Sequence, residues 1–219
     1  MGIEAEFKQV SPYLLEKLKE HPDFAELFFD AQYLPESPFW QQFTINLNDP
    51  DDVVFLDEFT NLALETFNKL RENKQEEFKK QKTDISQIIE EGKAEYLDID
   101  KTWRMIHFVL TGEDDSFVPP FLIGENNEDR LPSINAILGG TEIEHEATYG
   151  LVRYLTVDEV KQVADALSKF SYTMIRERLK LRGWKEKSFD HLFDYTYNPL
   201  VRYYQDAAEK GNAMFLYLS

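Results

Sequence analysis

The final apolar run of the chain places the strongest constraint on its fold. Residues 213–218 read Ala-Met-Phe-Leu-Tyr-Leu, with no polar residue except the tyrosine hydroxyl. A continuous run of this length after the turn signal Gly211-Asn212 is typical of a strand that is buried on both faces. Residues 2–10 alternate between apolar and charged side chains, which predicts a second, half-exposed strand. We expect the two strands to share one sheet.

Helical patterns occupy much of the chain between these strands. Thr156-Val157-Asp158-Glu159 is a capping box in front of an amphipathic stretch, and Asn198-Pro199 begins another stretch that ends at Gly211. Apolar residues from Val54 to Leu70 also recur at helical spacing. The expected fold is therefore α+β: residues 1–219 form a single domain, in which a mixed β-sheet with the N- and C-terminal strands packs with several helices.

The segment from Tyr96 to Gly112 combines an apolar helix pattern with unusually many ionisable groups. We predict a helix from about Ile99 to Thr111, ended by Gly112, because glycine readily adopts the left-handed conformation at helix ends. Charged side chains are seldom fully buried without a partner. The acids, bases and histidine of this segment are therefore the first candidates for a functional site.

Composition limits the classes of function. The 219 residues include no cysteine, which excludes disulfides and thiolate chemistry and favours a reducing, cytoplasmic setting. The chain starts without a signal-peptide pattern and has no apolar run long enough for a membrane span, so no membrane association is expected. A net charge of −17 repels phosphate backbones, so nucleic-acid binding is not expected either.

Four segments of the chain resemble a known family. The main one is residues 97–112, Leu-Asp-Ile-Asp-Lys-x-Trp-x-x-x-His-Phe-x-Leu-Thr-Gly; residues 136–140, 149–156 and 211–213 support it. Together they resemble the YfbM-like family of uncharacterised bacterial proteins, a domain of unknown function. The resemblance implies an α+β fold with a mixed sheet in a cytosolic bacterial protein, without an assigned activity. Residues 23–52 look like an insertion relative to the short family form.

Three residues of the main segment are candidates for catalysis: Asp98, Asp100 and His107. Asp100 could orient the His107 imidazole and raise its pKa, which would suit general acid–base work. The alternative is structural. In that case Asp98 or Asp100 caps the helix, Asp100 pairs with Arg104 one turn later, and His107 binds a backbone carbonyl in the core.

Candidate ligand-binding residues surround them: Lys101, Trp103, Arg104, Tyr149 and Arg153. Arg153 could instead meet Asp98 or Asp100 in a buried polar network that holds the fold together. The cluster Glu142, Glu144, His145, Glu146 is a poor metal site, because its histidine would point away from its acids on a strand. We predict no metal site and no cofactor.

Two functional hypotheses remain open. In the first, the protein is non-catalytic and binds another protein through an acidic surface, as an inhibitor or immunity-type factor would. Two observations favour this hypothesis. The chain has no catalytic motif, and it has an aromatic region from Phe28 to Trp40 that is either part of the core or an exposed apolar surface for a partner. In the second, it is an enzyme or small-ligand binder that uses the polar residues of the 98–108 helix. Oligomeric state does not follow from the sequence.

Overall fold

A five-stranded sheet holds both ends of the chain. The computed structural model describes residues 2–35, 37–46, 48–73, 82–114, 118–181, 183–184 and 189–219. Its strands are β1 (Ala5–Val10), β2 (Tyr96–Asp98), β3 (Ile123–Glu125), β4 (Pro132–Ile134), β5 (Thr141–Ala147), β6 (Gly150–Leu155) and β7 (Ala213–Leu218). The main sheet has the order β2-β1-β7-β6-β5, and β3 with β4 forms a small hairpin.

The α-helices of the described residues carry most of the remaining structure. They are α1 (Pro12–Glu20), α2 (Asp23–Asp30), α3 (Pro50–Asn73), α4 (Lys82–Gly92), α5 (Trp103–Thr111), α6 (Val157–Lys169), α7 (Tyr172–Leu181), α8 (Phe189–Leu192) and α9 (Asn198–Lys210). Short 3₁₀ segments lie at Ala31–Tyr33, Pro38–Gln42 and Asp100–Thr102, and a π-helical segment joins α8 to α9 at Phe193–Tyr197. The charged residues that follow Asn73 in the sequence, positions 74–81, lie outside the described residues.

The predicted α+β class and the shared sheet are confirmed. Strand β7 is central, with Ala5 of β1 opposite Leu218 on one side and Arg153 of β6 opposite Leu216 on the other. The pairs β1–β7, β6–β7 and β5–β6 are antiparallel, so the expected mixture of strand directions is not seen in these three pairs.

Both faces of β7 are buried, as the apolar run predicts. Met214 and Leu216 join the core cluster that includes residues of α5, α6 and α9. Ala213 and Phe215 belong to the opposite face and are also fully buried. Lys8 of β1 pairs opposite Phe215 and is fully buried, so the prediction that its face of β1 is half-exposed is wrong at this position. Burial lowers the pKa of Lys8 to about 7, although the negative charge of Glu6 partly offsets this by favouring the protonated amine.

The described chain divides into two compact units. One consists of Met1–Pro12 with Leu97–Ser219 and contains the sheet, and the other is the helical segment Tyr13–Tyr96. In the helical unit, α2 packs against α3 and α4. The residues expected to be an insertion, 23–52, belong to this unit. Of its early aromatics, Phe28 and Phe29 are core, whereas Tyr33, Phe39 and Trp40 are half-buried among the rings of Phe43, Phe55 and Phe59.

A buried arginine ties α7 to the end of α5. Arg178 has no exposed surface, and its Nη1 donates hydrogen bonds to the carbonyls of Val109 and Leu110, at 2.9 and 2.8 Å. Its Nε donates to Asp129 Oδ2 at 2.7 Å, and its Nη2 donates to Asp129 Oδ1 and to the Leu131 carbonyl. The last carbonyls of a helix carry partial negative charge and need donors. One side chain therefore satisfies the helix end and a carboxylate together.

The charge of Arg178 also keeps its partner ionised. Burial opposes ionisation of the Asp129 carboxyl, but hydrogen bonds from Arg178 and from the Leu131 amide outweigh that effect and hold the pKa of Asp129 below its ordinary value. The ion pair is therefore present throughout the neutral range, and it is lost only when acid protonates Asp129.

We expect Arg178→Met to lower the free energy of unfolding by about 3–5 kcal/mol, because it leaves Asp129 and three carbonyls buried without their donor. Urea denaturation at pH 7 would measure this loss. The matched control is Lys180→Met on the same helix, where the side chain is exposed, and its effect should stay within about 0.5 kcal/mol. Equal losses for the two variants would contradict the role assigned to Arg178.

Candidate functional site

The two aspartates before α5 organise a turn. Asp98 Oδ1 accepts a hydrogen bond from the Asp100 amide at 2.6 Å, and Asp100 Oδ1 accepts one from the Lys101 amide. Asp100 has a φ of 49°, a conformation that aspartate tolerates better than most residues. This turn and the 3₁₀ segment after it delay the α-helix to Trp103, later than the predicted start at Ile99, whereas the predicted end at Gly112 is confirmed by its φ of 82°.

The helix then directs His107 and Trp103 into the core. His107 has no exposed surface, and Trp103 is 3% exposed. The Trp103 indole Nε1 donates to the Ile3 carbonyl at 2.9 Å, so this side chain fastens the segment before β1. Asp98 and Asp100 are exposed. The three candidate catalytic residues therefore do not meet on one solvent-facing surface.

Arg153 lies far from those aspartates across the sheet. It is on β6, and Asp98 is on β2, with β1 and β7 between them. Three strand spacings separate the two strands by about 14 Å. Arg153 Nη2 instead donates to Glu142 Oε1 on β5 at 2.7 Å, and its Nη1 donates to the Leu138 carbonyl. The hypothesis of a network between Arg153 and the aspartates is wrong.

The remaining predicted site residues lie on the surface. Tyr149 is 47% exposed in the turn between β5 and β6. Glu142, Glu144 and Glu146 are exposed along β5, with His145 half-buried between them. Within the described residues, no group of three or more histidines, aspartates or glutamates is arranged to hold a metal ion.

Lys101, in the 3₁₀ segment before α5, and Arg104, on α5, are both exposed and lie at a concave surface that we call the apolar hollow. Its volume is about 360 Å³. Its lining residues are Lys101, Thr102, Arg104, Met105, Phe108, Asp114 and Trp184. Trp184 is 42% exposed, and the Arg104 guanidinium lies 5.3 Å from the centroid of the Trp103 ring.

A second concave surface, which we call the acidic hollow, adjoins the first. Its volume is about 490 Å³. Its lining residues are Phe108, Gly112, Glu113, Asp114, Asn126, Glu128, Asp129 and Leu181. Phe108 and Asp114 line both hollows, so the two are continuous. Four of the eight residues are acids, and Leu181 is 69% exposed beside them.

Asn126 builds the acidic hollow. Its Nδ2 donates to the Thr111 carbonyl at 3.2 Å and to Glu113 Oε1 at 2.8 Å. Its Oδ1 accepts from the amides of Glu128 and Asp129. One buried amide therefore fixes the acids after β3 against the end of α5.

This surface does not follow from the sequence. Residues 113–131 are rich in acids and residues 174–182 in bases, but no local pattern indicates that the two segments meet. The available signals were the Asn126-Asn127 pair, whose first amide organises the turn, and Trp184, an aromatic residue directly after the turn glycine Gly183.

We expect Asp98→Asn to stabilise the protein at neutral pH. Although Asp98 is exposed as a whole residue, partial desolvation of its carboxyl raises the pKa of Asp98 to about 6. The charges of Glu6, Glu4 and Asp100 add to the rise, and the hydrogen bond from the Asp100 amide opposes it. Because the pKa of this carboxyl is higher in the folded protein than in the unfolded chain, the free energy of unfolding decreases as the pH rises from about 4 through 6. Asparagine keeps an Oδ1 acceptor for the Asp100 amide without the charge. Thermal unfolding at pH 4 and pH 7 tests this, and a gain that is the same at both values contradicts it.

Comparisons with known proteins identify a family and give no activity. No helix of the described residues is long and apolar enough to cross a membrane. None of the curated proteins compared with the chain matches it. Among solved structures, the protein of unknown function YfbM from Escherichia coli is similar, with 15% identity, 99% of each chain covered and a TM-score of 0.48. The profile of the family described as "Domain of unknown function (DUF1877)" matches residues 1–217, so the chain belongs to that YfbM-like family.

Proposed function

We propose that this protein is a non-catalytic binding protein, of the inhibitor or immunity type, that captures a basic protein segment in its two adjoining hollows. The observation that carries the proposal is the continuity of an apolar hollow with an acidic one, each bordered by an exposed large apolar side chain. The partner segment would place an apolar side chain beside Trp184 and a lysine or arginine beside the acids.

The apolar half supplies an anchoring site. Exposed tryptophans at concave surfaces are typical hot spots of protein interfaces, because a rigid ring buries a large area at little entropic cost. Trp184, Met105 and Phe108 offer such an area. Lys101, Arg104 and Asp114 also line the apolar hollow, which therefore carries both positive and negative charge. Because neither sign dominates, this hollow would select its occupant by shape.

The acidic half supplies the charge preference. The charge of Asp129 is already compensated by Arg178, whereas Glu113 is bound by the neutral amide of Asn126 and Glu128 is exposed. Their carboxylates favour a cation. The whole-chain charge of −17 would add long-range attraction for a basic partner, and salt would weaken that attraction.

The alternative, an enzyme or ligand site on the 98–108 helix, has less support. A general base must reach the proton that it abstracts. His107 has no exposed surface, and both aspartates accept hydrogen bonds from the backbone of their own turn.

A random-peptide library panned on the whole protein tests the proposal. We expect enrichment of peptides that combine lysine or arginine with a leucine or aromatic residue. For an enriched peptide, Trp184→Ala and Glu128→Gln should each weaken binding by about tenfold, which corresponds to ~1.4 kcal/mol. Fluorescence anisotropy at low and high salt would measure the dissociation constants.

Two matched controls remove the same groups elsewhere. Tyr195→Ala deletes an aromatic side chain that is 72% exposed, and Glu209→Gln neutralises an exposed acid on α9. Both should leave the affinity unchanged. Enriched peptides without basic residues, or equal losses in the control variants, would refute binding at the hollows.

A further inference from the structure

A third concave surface, which we call the polar cleft, lies where two of the family-like segments meet, residues 136–140 and 149–156. Its volume is about 370 Å³, within the range of small-molecule sites. Its lining residues are Val118, Pro119, Pro120, Phe121, Leu122, Asn135, Leu138, Gly139, Gly140, Thr141, Arg153 and Glu159. It shares no residue with the two hollows.

Two glycines allow the cleft wall to close against its neighbours. A Cβ atom on Gly139 would lie 2.2 Å from the Asn135 carbonyl oxygen, and one on Gly140 would lie 2.4 Å from the Tyr154 carbonyl oxygen. Gly140 also has a φ of +93°, which side-chain-bearing residues rarely adopt. The backbone of this turn is therefore held close to Asn135 and to β6.

Asn135, one of the residues that line the cleft, has an unsatisfied acceptor. The residue is 1% exposed, and its Nδ2 donates to the Pro119 carbonyl at 3.2 Å. Its Oδ1 is buried and has no hydrogen-bond partner among the described residues. A buried acceptor left without a donor costs about 1–3 kcal/mol, and such groups are rare in folded proteins. An N–H donor from a bound molecule would satisfy it.

Arg153 is held in place beside it. Its guanidinium donates to the Leu138 carbonyl and to Glu142 Oε1, and the side chain is 28% exposed. A guanidinium carries five N–H donors. The side chain is therefore oriented by two bonds and still has donors for an anionic group.

Glu159 is the other charged residue among those lining the cleft. Its Oε2 accepts hydrogen bonds from the Thr156 amide and hydroxyl, each at 2.8 Å, which fixes the carboxylate at the start of α6. The cleft thus offers one cation and one anion, together with an apolar wall of Pro119, Pro120 and Phe121.

We propose that the polar cleft binds a free α-amino acid with an apolar side chain. The ligand carboxylate pairs with Arg153, its ammonium donates to Asn135 Oδ1 and to Glu159, and its side chain packs on the proline–phenylalanine wall. A zwitterion offers a partner of opposite charge to each of the two charged lining residues, whereas a ligand with a single charge pairs with one of them only. The site is independent of the protein-binding hollows.

Titration of the whole protein with leucine and with phenylalanine tests the inference. Nuclear magnetic resonance would follow the side-chain amide of Asn135, and calorimetry would give the dissociation constant. We expect saturable shifts of the Asn135 signal. Leucinamide, which lacks the carboxylate, and N-acetylleucine, which lacks the ammonium, should each bind at least about tenfold more weakly, as expected when one charged pair is lost.

Variants separate recognition from folding. Arg153→Gln should weaken leucine binding by at least about tenfold, whereas Glu144→Gln neutralises an exposed acid on β5 outside the cleft and should leave binding intact. Asn135→Asp keeps the volume and should change the selectivity between leucine and N-acetylleucine. No shift of the Asn135 signal with either amino acid, or equal binding of leucine and leucinamide, overturns the proposal.

Discussion

The buried guanidinium of Arg178 is the interaction on which the sheet-containing unit depends most. It joins the end of α5, the loop before β4 and helix α7, segments that are distant in sequence. The side chain is fully buried, and its charge is tolerated because all three guanidinium nitrogens donate to acceptors. Both hollows are built on these segments, since α5 lines both of them and Asp129 lines the acidic one. The binding surface thus shares its foundation with the core.

Much of the fold follows from local patterns in the sequence. The apolar run at 213–218, the capping box at Thr156 and the glycine that ends α5 each have one favourable structure, and each is found as predicted. Lys8 was misplaced because strand alternation reports which face a residue is on and cannot tell whether another layer covers that face. The start of α5 was misplaced because the Asp98 and Asp100 side chains compete for backbone amides.

The candidate surfaces were harder to predict, because long-range packing makes them. The sequence indicates the ionisable residues between Asp98 and His107 as candidates for a site. In the structure they lie on different sides of the segment: His107 is buried in the core, whereas Lys101 and Arg104 line a hollow. Nothing in the local pattern indicates that Trp184 lies near Met105, or that Asn135 lacks a donor. Arg153 is a candidate ligand-binding residue from the sequence, but its hydrogen-bond partners belong to β5 and the loop before it, and not to β2.

The central position of β7 has a consequence for biosynthesis. Strand β1 is synthesised long before β7, which is one of the two strands that pair with it. Until then, one edge of β1 and one edge of β6 lack their native partner, and an unpaired strand edge can recruit other chains. The sheet therefore closes only after β7 leaves the exit tunnel, at the entropic cost of joining distant segments. The packing of α2 against α3 and α4 lies within the segment Tyr13–Tyr96, so these contacts need no residue that is synthesised after β2.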